Sequence, residues 1–139
     1  AGVEHRLEEV ATIDGVLYVN DSKATNVASA LVGLRSFEAG SVHLILGGRG
    51  KGEDFGALRD EVAVRARASY LIGEAAEEIA EALEGLPVVR AGTLEEAVAD
   101  ARAAARAGEV VLLSPACTSF DQFRDYEERG AAFKALAGG

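Results

Sequence analysis

The stretch VLYVNDSKATNVASALVGL, residues 16–34, decides the fold. Val16 to Val19 is an apolar, strand-like run. Asn20 to Asn26 is a polar loop. From Val27 onward, Ala28, Leu31 and Leu34, with Val27 and Val32 nearby, share one face of a helix. Either Ser22 or Thr25 is a cap for that helix. Strand, polar loop and helix, in that order, set a pattern that the rest of the chain repeats.

Upstream, His5 to Ile13 reads as a strand with mixed faces, and Asp14-Gly15 is a hairpin signal that returns the chain into Val16. Downstream, Glu38-Ala39-Gly40 stops the helix. Val42 to Leu46 is a short apolar strand of the kind covered on both faces. Gly47 to Gly52 follows. Asp54 opens a helix through about Ala68, Tyr70 to Ile72 is a strand, Glu74 to Leu83 is a helix, and Pro87 to Val89 is a strand. Thr93-Leu94-Glu95-Glu96 matches a capping box for a helix to about Ala107, ended by Gly108. Val110 to Leu113 is the last strand, and Asp121 caps a closing helix to about Leu136.

This alternation predicts an α/β fold. The expected form is a three-layer, Rossmann-like domain with a mostly parallel sheet of about six strands and one antiparallel edge strand from the N-terminal hairpin. The 139 residues suit one domain, residues 1–139, and at 49% hydrophobic they can fill one core.

Composition removes several function classes. No apolar run approaches the roughly 20 residues of a membrane span. The first residues lack a basic-then-apolar signal pattern, so nothing points to export. The one cysteine, Cys117, excludes an internal disulfide and fits a reducing compartment. A net charge of -9 argues against nucleic acid or an anionic membrane as partner. The absence of methionine is compatible with a piece of a longer protein. Only three of the 14 basic residues are lysines, and two of these, Lys23 and Lys51, sit in polar loops. A compact point charge has uses there that an arginine fork does not serve.

Three polar loops leave the carboxyl ends of predicted strands: one after Val19, GGRGKG (47–52) after Leu46, and SPACTS (114–119) after Leu113. The loops after Ile72 and Val89 are plainer. Ligands of open α/β sheets bind beyond the carboxyl ends of the strands. The three loops are therefore expected to meet at one rim and form a site for an anionic substrate.

The glycine loop fits neither the Walker pattern nor GxGxxG, so the chain carries no standard nucleotide fingerprint. It reads as a plain strand-to-helix turn or as an anion cradle built from Arg49, Lys51 and backbone N–H groups. Asp21 and Lys23 read as a solvated ion pair or, with Thr25, as part of a phosphate or carboxylate site. Ser119 is placed near the start of the closing helix. Cys117 reads as a buried small residue before it reads as a nucleophile. No histidine lies in these loops, and His43 is mid-strand, packed or at an edge. Ser-His-Asp catalysis is unsupported, and no ligands cluster for a metal.

Four stretches carry a resemblance: Asn20-Asp-Ser-Lys-Ala-Thr-Asn26, Gly47-Gly-x-Gly-Lys51, Leu113-Ser-Pro-Ala-Cys-x-Ser119-x-Asp121-Gln-Phe123, and Glu127-x-Arg129-Gly130. Together with His5-Arg6 they resemble, in order and over essentially the whole chain, the C-terminal domain of the Mur ligases. More narrowly, they resemble the branch that adds D-glutamate. The resemblance implies a three-domain enzyme whose central domain carries the P-loop and the metal sites. The implied reaction is ATP-dependent amide formation in cytoplasmic, bacterial peptidoglycan synthesis. The alanine carboxylate of UDP-N-acetylmuramoyl-L-alanine becomes an acyl phosphate, the amine of D-glutamate attacks it, and phosphate leaves.

By the same resemblance, Thr25, Lys51, Ser119, the backbone at Phe120, and Tyr126 hold D-glutamate, while Arg6, Asp21, Lys23 and Thr25 face ATP. An aliphatic residue is commoner at the position of Phe120, and phenylalanine at that of Tyr126. ATP and Mg2+ would serve the full enzyme, with metal ligands mainly outside this chain. The uridine nucleotide is expected to bind through other domains. No general base is evident, and the chain alone is expected to be inactive. A competing reading of a different class is a non-catalytic module that binds a small anion or a partner. A dehydrogenase fragment is weakened by the missing GxGxxG.

Overall fold

The computed structural model describes residues 3–138. Strands β1 (Glu8–Ile13) and β2 (Val16–Asn20) form the opening hairpin. Asp14 and Gly15 carry φ of 53° and 78°, both positive, as a two-residue hairpin turn of the primed type requires. Then follow α1 (Val27–Leu34), β3 (Val42–Gly47), a short 3-10 turn (Phe55–Leu58), α2 (Arg59–Arg65) and β4 (Ala66–Ile72). The chain continues through α3 (Ala76–Ala82), β5 (Val88–Gly92), α4 (Leu94–Ala104), β6 (Val110–Leu113) and α5 (Tyr126–Gly138).

The six strands lie in the order β1-β2-β6-β3-β4-β5. Only β1 runs antiparallel to its neighbour. Every residue of β3 is buried, because helices cover both faces of the sheet. On one face Leu44, Leu46, Leu71 and Leu112 pack with Leu34 of α1, Leu58 and Ile79. On the other, Ile45, Tyr70, Val111 and Leu113 pack with Val98 of α4 and Phe133 of α5. The two cores make the expected three layers.

The order has one consequence for function. β2, β6 and β3 are adjacent and parallel, so the three polar loops emerge side by side at one end of the sheet.

Local differences from the sequence reading have identifiable causes. The first strand starts at Glu8 rather than His5, because His5 and Leu7 have φ of 66° and 44° and cannot lie in an extended strand. The helix expected through Ala68 stops at Arg65, because Ala66 and Ala68 pair with Val42 and His43 of β3. Asp54 caps the 3-10 turn, accepting from Gly56 N at 2.9 Å. The cap of α1 is Asn26, which accepts from Ser29 N at 2.8 Å, not Ser22 or Thr25. Helix α5 begins four residues later than expected and is capped by Asp125, which accepts from Glu128 N at 2.8 Å. Asp121 instead accepts from Glu74 N at 3.0 Å, across to the loop after β4. His43 is packed: its ring bonds Tyr70 Oη at 2.9 Å and Glu109 Oε1 at 2.8 Å.

Candidate functional site

The three loops are stitched together by hydrogen bonds. Asp21 N donates to Leu113 O at 2.8 Å, and Ala116 N donates to Ala24 O at 2.9 Å. Arg49 and Thr118 exchange a pair of backbone bonds of 2.9 and 3.1 Å. Ser114 Oγ donates to Asp21 Oδ2 at 2.7 Å. Two glycines make room for this seam. A Cβ on Gly48 would lie 2.2 Å from Thr118 O, and one on Gly33 would lie 2.5 Å from Asp21 Oδ2.

Behind the seam, Arg129 of α5 is 1% exposed. Its guanidinium donates to Ser22 Oγ at 2.9 Å, Ser22 O at 2.7 Å and Cys117 O at 3.0 Å. Ser22 Oγ in turn donates to Tyr126 O at 2.7 Å. One arginine thus joins the first loop, the third loop and the start of α5. Burial pulls its guanidinium down to about 10, so it stays charged at neutral pH. The sequence motif Glu127-x-Arg129-Gly130 by itself gives Arg129 no such role.

Two recesses open on this rim. One, of about 300 Å³, is lined by Thr25, Thr118, Ser119, Phe120, Asp125 and Tyr126. Ser119 is 2% exposed, and its hydroxyl has no hydrogen-bond partner among the described residues. Ser119 is expected close to the start of the closing helix; along the chain it lies well ahead of Tyr126, but it lines the same recess as Asp125 and Tyr126. Asp125 caps Glu128 N, and the earlier amides of α5 face the recess end of the helix. A helix start beside an unsatisfied hydroxyl is a place for a carboxylate or phosphate.

The second recess, of about 260 Å³, is lined by Arg6, Asp21, Lys23, Ser29, Val32 and Gly33 among others. Burial pushes the Asp21 carboxyl up, against the opposing effects of Ser114, Leu7 N and Arg6. Asp21 is bonded to Ser114 and to Leu7 N rather than paired with Lys23, so the solvated ion pair is not what forms.

Four of the five residues expected around D-glutamate, Thr25, Ser119, Phe120 and Tyr126, line the first recess, and three of the four expected around ATP line the second. Thr25 lines only the first. Lys51 stands exposed on the glycine loop and lines neither recess. Arg49 is bonded to Glu74 at 3.3 Å, so its charge is committed there. Sequence reasoning missed Thr118 and Asp125. Asp125 was legible as a second cap candidate, an aspartate three residues before Glu128. Cys117 is fully buried and its thiol is pushed up to about 12 by burial, which leaves it without thiolate reactivity. A third recess, of about 650 Å³, lies between α4 and α5 and is mostly apolar; it carries none of the expected site residues. No cluster of three or more metal-ligating side chains forms among the described residues.

Comparison with known proteins identifies the family. Residues 5–117 match the family model described as Mur ligase, glutamate ligase domain. A UDP-N-acetylmuramoylalanine--D-glutamate ligase of Acidobacterium capsulatum is 55% identical over 135 residues, covering 96% of this chain and 29% of that protein. One from Pseudomonas fluorescens (strain Pf0-1) is 53% identical over 137 residues, covering 96% of this chain and 31% of the relative. The chain therefore spans under a third of the length of these relatives. Among solved structures, a bifunctional folylpolyglutamate synthase/dihydrofolate synthase from Yersinia pestis superposes with a TM-score of 0.67 at 19% identity, over 99% of this chain and 32% of that one. Escherichia coli FolC, in complex with ADP, gives 0.65 at 16% identity, over 98% and 32%. Those two likenesses speak for the fold. The family match and the curated relatives carry the rest: this chain belongs to the Mur ligase family, as its glutamate ligase domain.

Proposed function

We propose that this chain is the C-terminal domain of a three-domain, cytoplasmic ligase that adds D-glutamate to UDP-N-acetylmuramoyl-L-alanine at the expense of ATP. The first recess takes D-glutamate. Its carboxylates need hydrogen-bond donors and positive charge. Ser119 Oγ, Thr25 Oγ1 and the opening amides of α5 are the donors. Arg129, buried behind them, and Lys51, extended on the glycine loop, are the cations. Held at that end, the amino acid presents its amine toward an acyl phosphate formed elsewhere, which is a positioning task.

The second recess takes ATP. Arg6 and Lys23 face its phosphates and share charge with the transferring phosphoryl group. Asp21, held by Ser114 and Leu7 N, keeps that loop in place. The described residues do not gather the carboxylates that Mg2+ would need, so no step is assigned to a metal here. The P-loop and the uridine nucleotide site belong to the other domains, and the chain alone does not turn over.

The single observation that carries this reading is the buried, unpartnered Ser119 hydroxyl at the start of α5. The experiment is Lys51→Ala in the full-length ligase. The KM for D-glutamate should rise by about tenfold or more, which is the loss of one charge-assisted contact, while the KM for the uridine nucleotide stays put. Unaltered kinetics for D-glutamate would refute the role.

A further inference from the structure

His5 belongs to the sequence motif, yet neither proposed binding set uses it. It is 7% exposed although it lies in no strand or helix. With φ of 66° at His5 and 44° at Leu7, two left-handed residues flank Arg6. Non-glycine residues keep such a backbone only where surrounding contacts dictate it. Two of those contacts lead to the second recess. His5 O accepts from Lys23 N at 3.0 Å, and Leu7 N donates to Asp21 Oδ1 at 3.1 Å.

The ring faces the other way. It stands edge-on to the ring of Tyr126, with centroids 6.0 Å apart and planes at 82°. Tyr126 lines the first recess and opens α5. Asn20 fixes the ring from a third side. Its Oδ1 accepts from Ser22 N at 3.1 Å, so its Nδ2 is the group that donates to Glu8 Oε1 at 3.1 Å and to His5 Nδ1 at 2.9 Å. Gly130 forms the fourth wall: a Cβ there would lie 2.1 Å from His5 Nδ1.

We infer that His5 is a positioning residue shared by the two recesses, setting Arg6 and the Lys23 backbone on one side and the Tyr126 end of α5 on the other. The geometry is that of a wedge: main chain to the nucleotide side, ring to the amino-acid side. The inference rests on the ligase reading above and adds that the two substrates depend on one side chain that lines neither recess.

The test uses the full-length ligase with two variants. His5→Ala removes the wedge. Gly130→Ala keeps the imidazole but fills its slot, and so pushes it aside. KM is measured for D-glutamate, for ATP and for the uridine nucleotide, with folding checked by circular dichroism. Both variants should raise the first two constants together, by about fivefold or more, and leave the third within about twofold. A merely damaged fold lowers kcat through a smaller active fraction and leaves KM alone. If His5→Ala does not fold, Gly130→Ala decides by itself. Movement of only one constant, or of neither, overturns the inference. A wild-type enzyme that fails to use D-glutamate refutes the ligase reading instead, so the two failures are distinguishable.

Discussion

Three glycines in one loop, Gly48, Gly50 and Gly52, should respond to alanine in three different ways. Gly48 has φ of 132°, and a Cβ there would meet Thr118 O at 2.2 Å, Cys117 Cβ at 3.2 Å and Arg129 Nη1 at 3.3 Å. A backbone carbonyl cannot step aside cheaply. Thr118 O is half of the two-bond seam to Arg49. Losing that seam costs about 1 kcal/mol per bond, and the strained backbone adds about 1–3 kcal/mol. The sum is about 3–5 kcal/mol, roughly 10–15 °C in Tm for a domain of this size. Gly52 has φ of 75° but nothing within 4 Å, so only the left-handed penalty of about 1 kcal/mol remains. Gly50 lies outside the positive-φ region and would place its Cβ 3.5 Å from Phe55, an ordinary contact. Gly50→Ala should be neutral or slightly stabilising, by up to about 0.5 kcal/mol. Denaturant unfolding of the chain and its three variants measures the series. If Gly48→Ala proved no worse than Gly52→Ala, the seam between the second and third loops would not exist as described.

Cys117 should resist a thiol reagent at about pH 8 in the native chain and react at once in denaturant, because burial holds its thiol up at about 12; native labelling within minutes would contradict this. Asp125→Ala should lower stability by about 1 kcal/mol through loss of the α5 cap, read by the same denaturant curves. A substitution silent in those curves would remove Asp125 as the cap. Burial pushes the Glu109 carboxyl up, but bonds from His43 and Arg106 N and the charges of His43 and Arg67 outweigh it, so the net shift is downward. A carboxyl lowered on folding stabilises above its unfolded value and loses that contribution as pH falls through the folded one. Glu109→Gln should therefore flatten the acid limb of stability below about pH 4.5, and identical limbs in variant and parent would refute it.

Much of the fold was legible because the local signals agreed with the global arrangement. Apolar runs such as Val42 to Leu46 and Val110 to Leu113 have no amphipathic alternative, so they had to be central strands. Where the sequence misled, a distant partner decided. Ala66 and Ala68 look helical until β3 claims them. Asp121 looks like a cap until Glu74 N takes its carboxylate. The site was legible at the level of loops, since each leaves a carboxyl end. Its division into two recesses was not. That division depends on Ala24 and Thr25 turning to opposite sides, with Ala24 on the second recess and Thr25 on the first. No pattern of residue types announces such a turn.

An acidic chain proposed to bind a dicarboxylate faces an electrostatic difficulty, and the placement of its cations resolves it. Among the described residues, seven of the 14 basic side chains are held in ion pairs: Arg35, Arg49, Arg65, Arg67, Arg90, Arg124 and Lys134. Arg59 and Arg102 donate to carbonyls of α3 and α5. Of the remaining five, Arg6, Lys23, Lys51 and Arg129 belong to the rim or lie behind it, and only Arg106 lies elsewhere. Carboxylates stand near the rim as well: Glu53 accepts from Val27 N, Asp121 accepts from Glu74 N, and Asp125 lines the first recess. Two of the three, Glu53 and Asp121, are bonded to backbone N–H groups, so a small anion at the rim meets local cations whose charge the total of -9 does not describe. Burial adds to this. It makes Asp21, which lines the second recess, less ready to carry its charge, while the guanidinium of Arg129 bonds only Ser22 and Cys117 among the described residues, with the Asp121 charge acting from farther off. Exposed pairs such as Arg90 with Glu77 thus hold cations on the remote surface, and four of the five basic side chains left outside such pairs and carbonyl contacts gather at or behind the carboxyl ends of β2, β6 and β3.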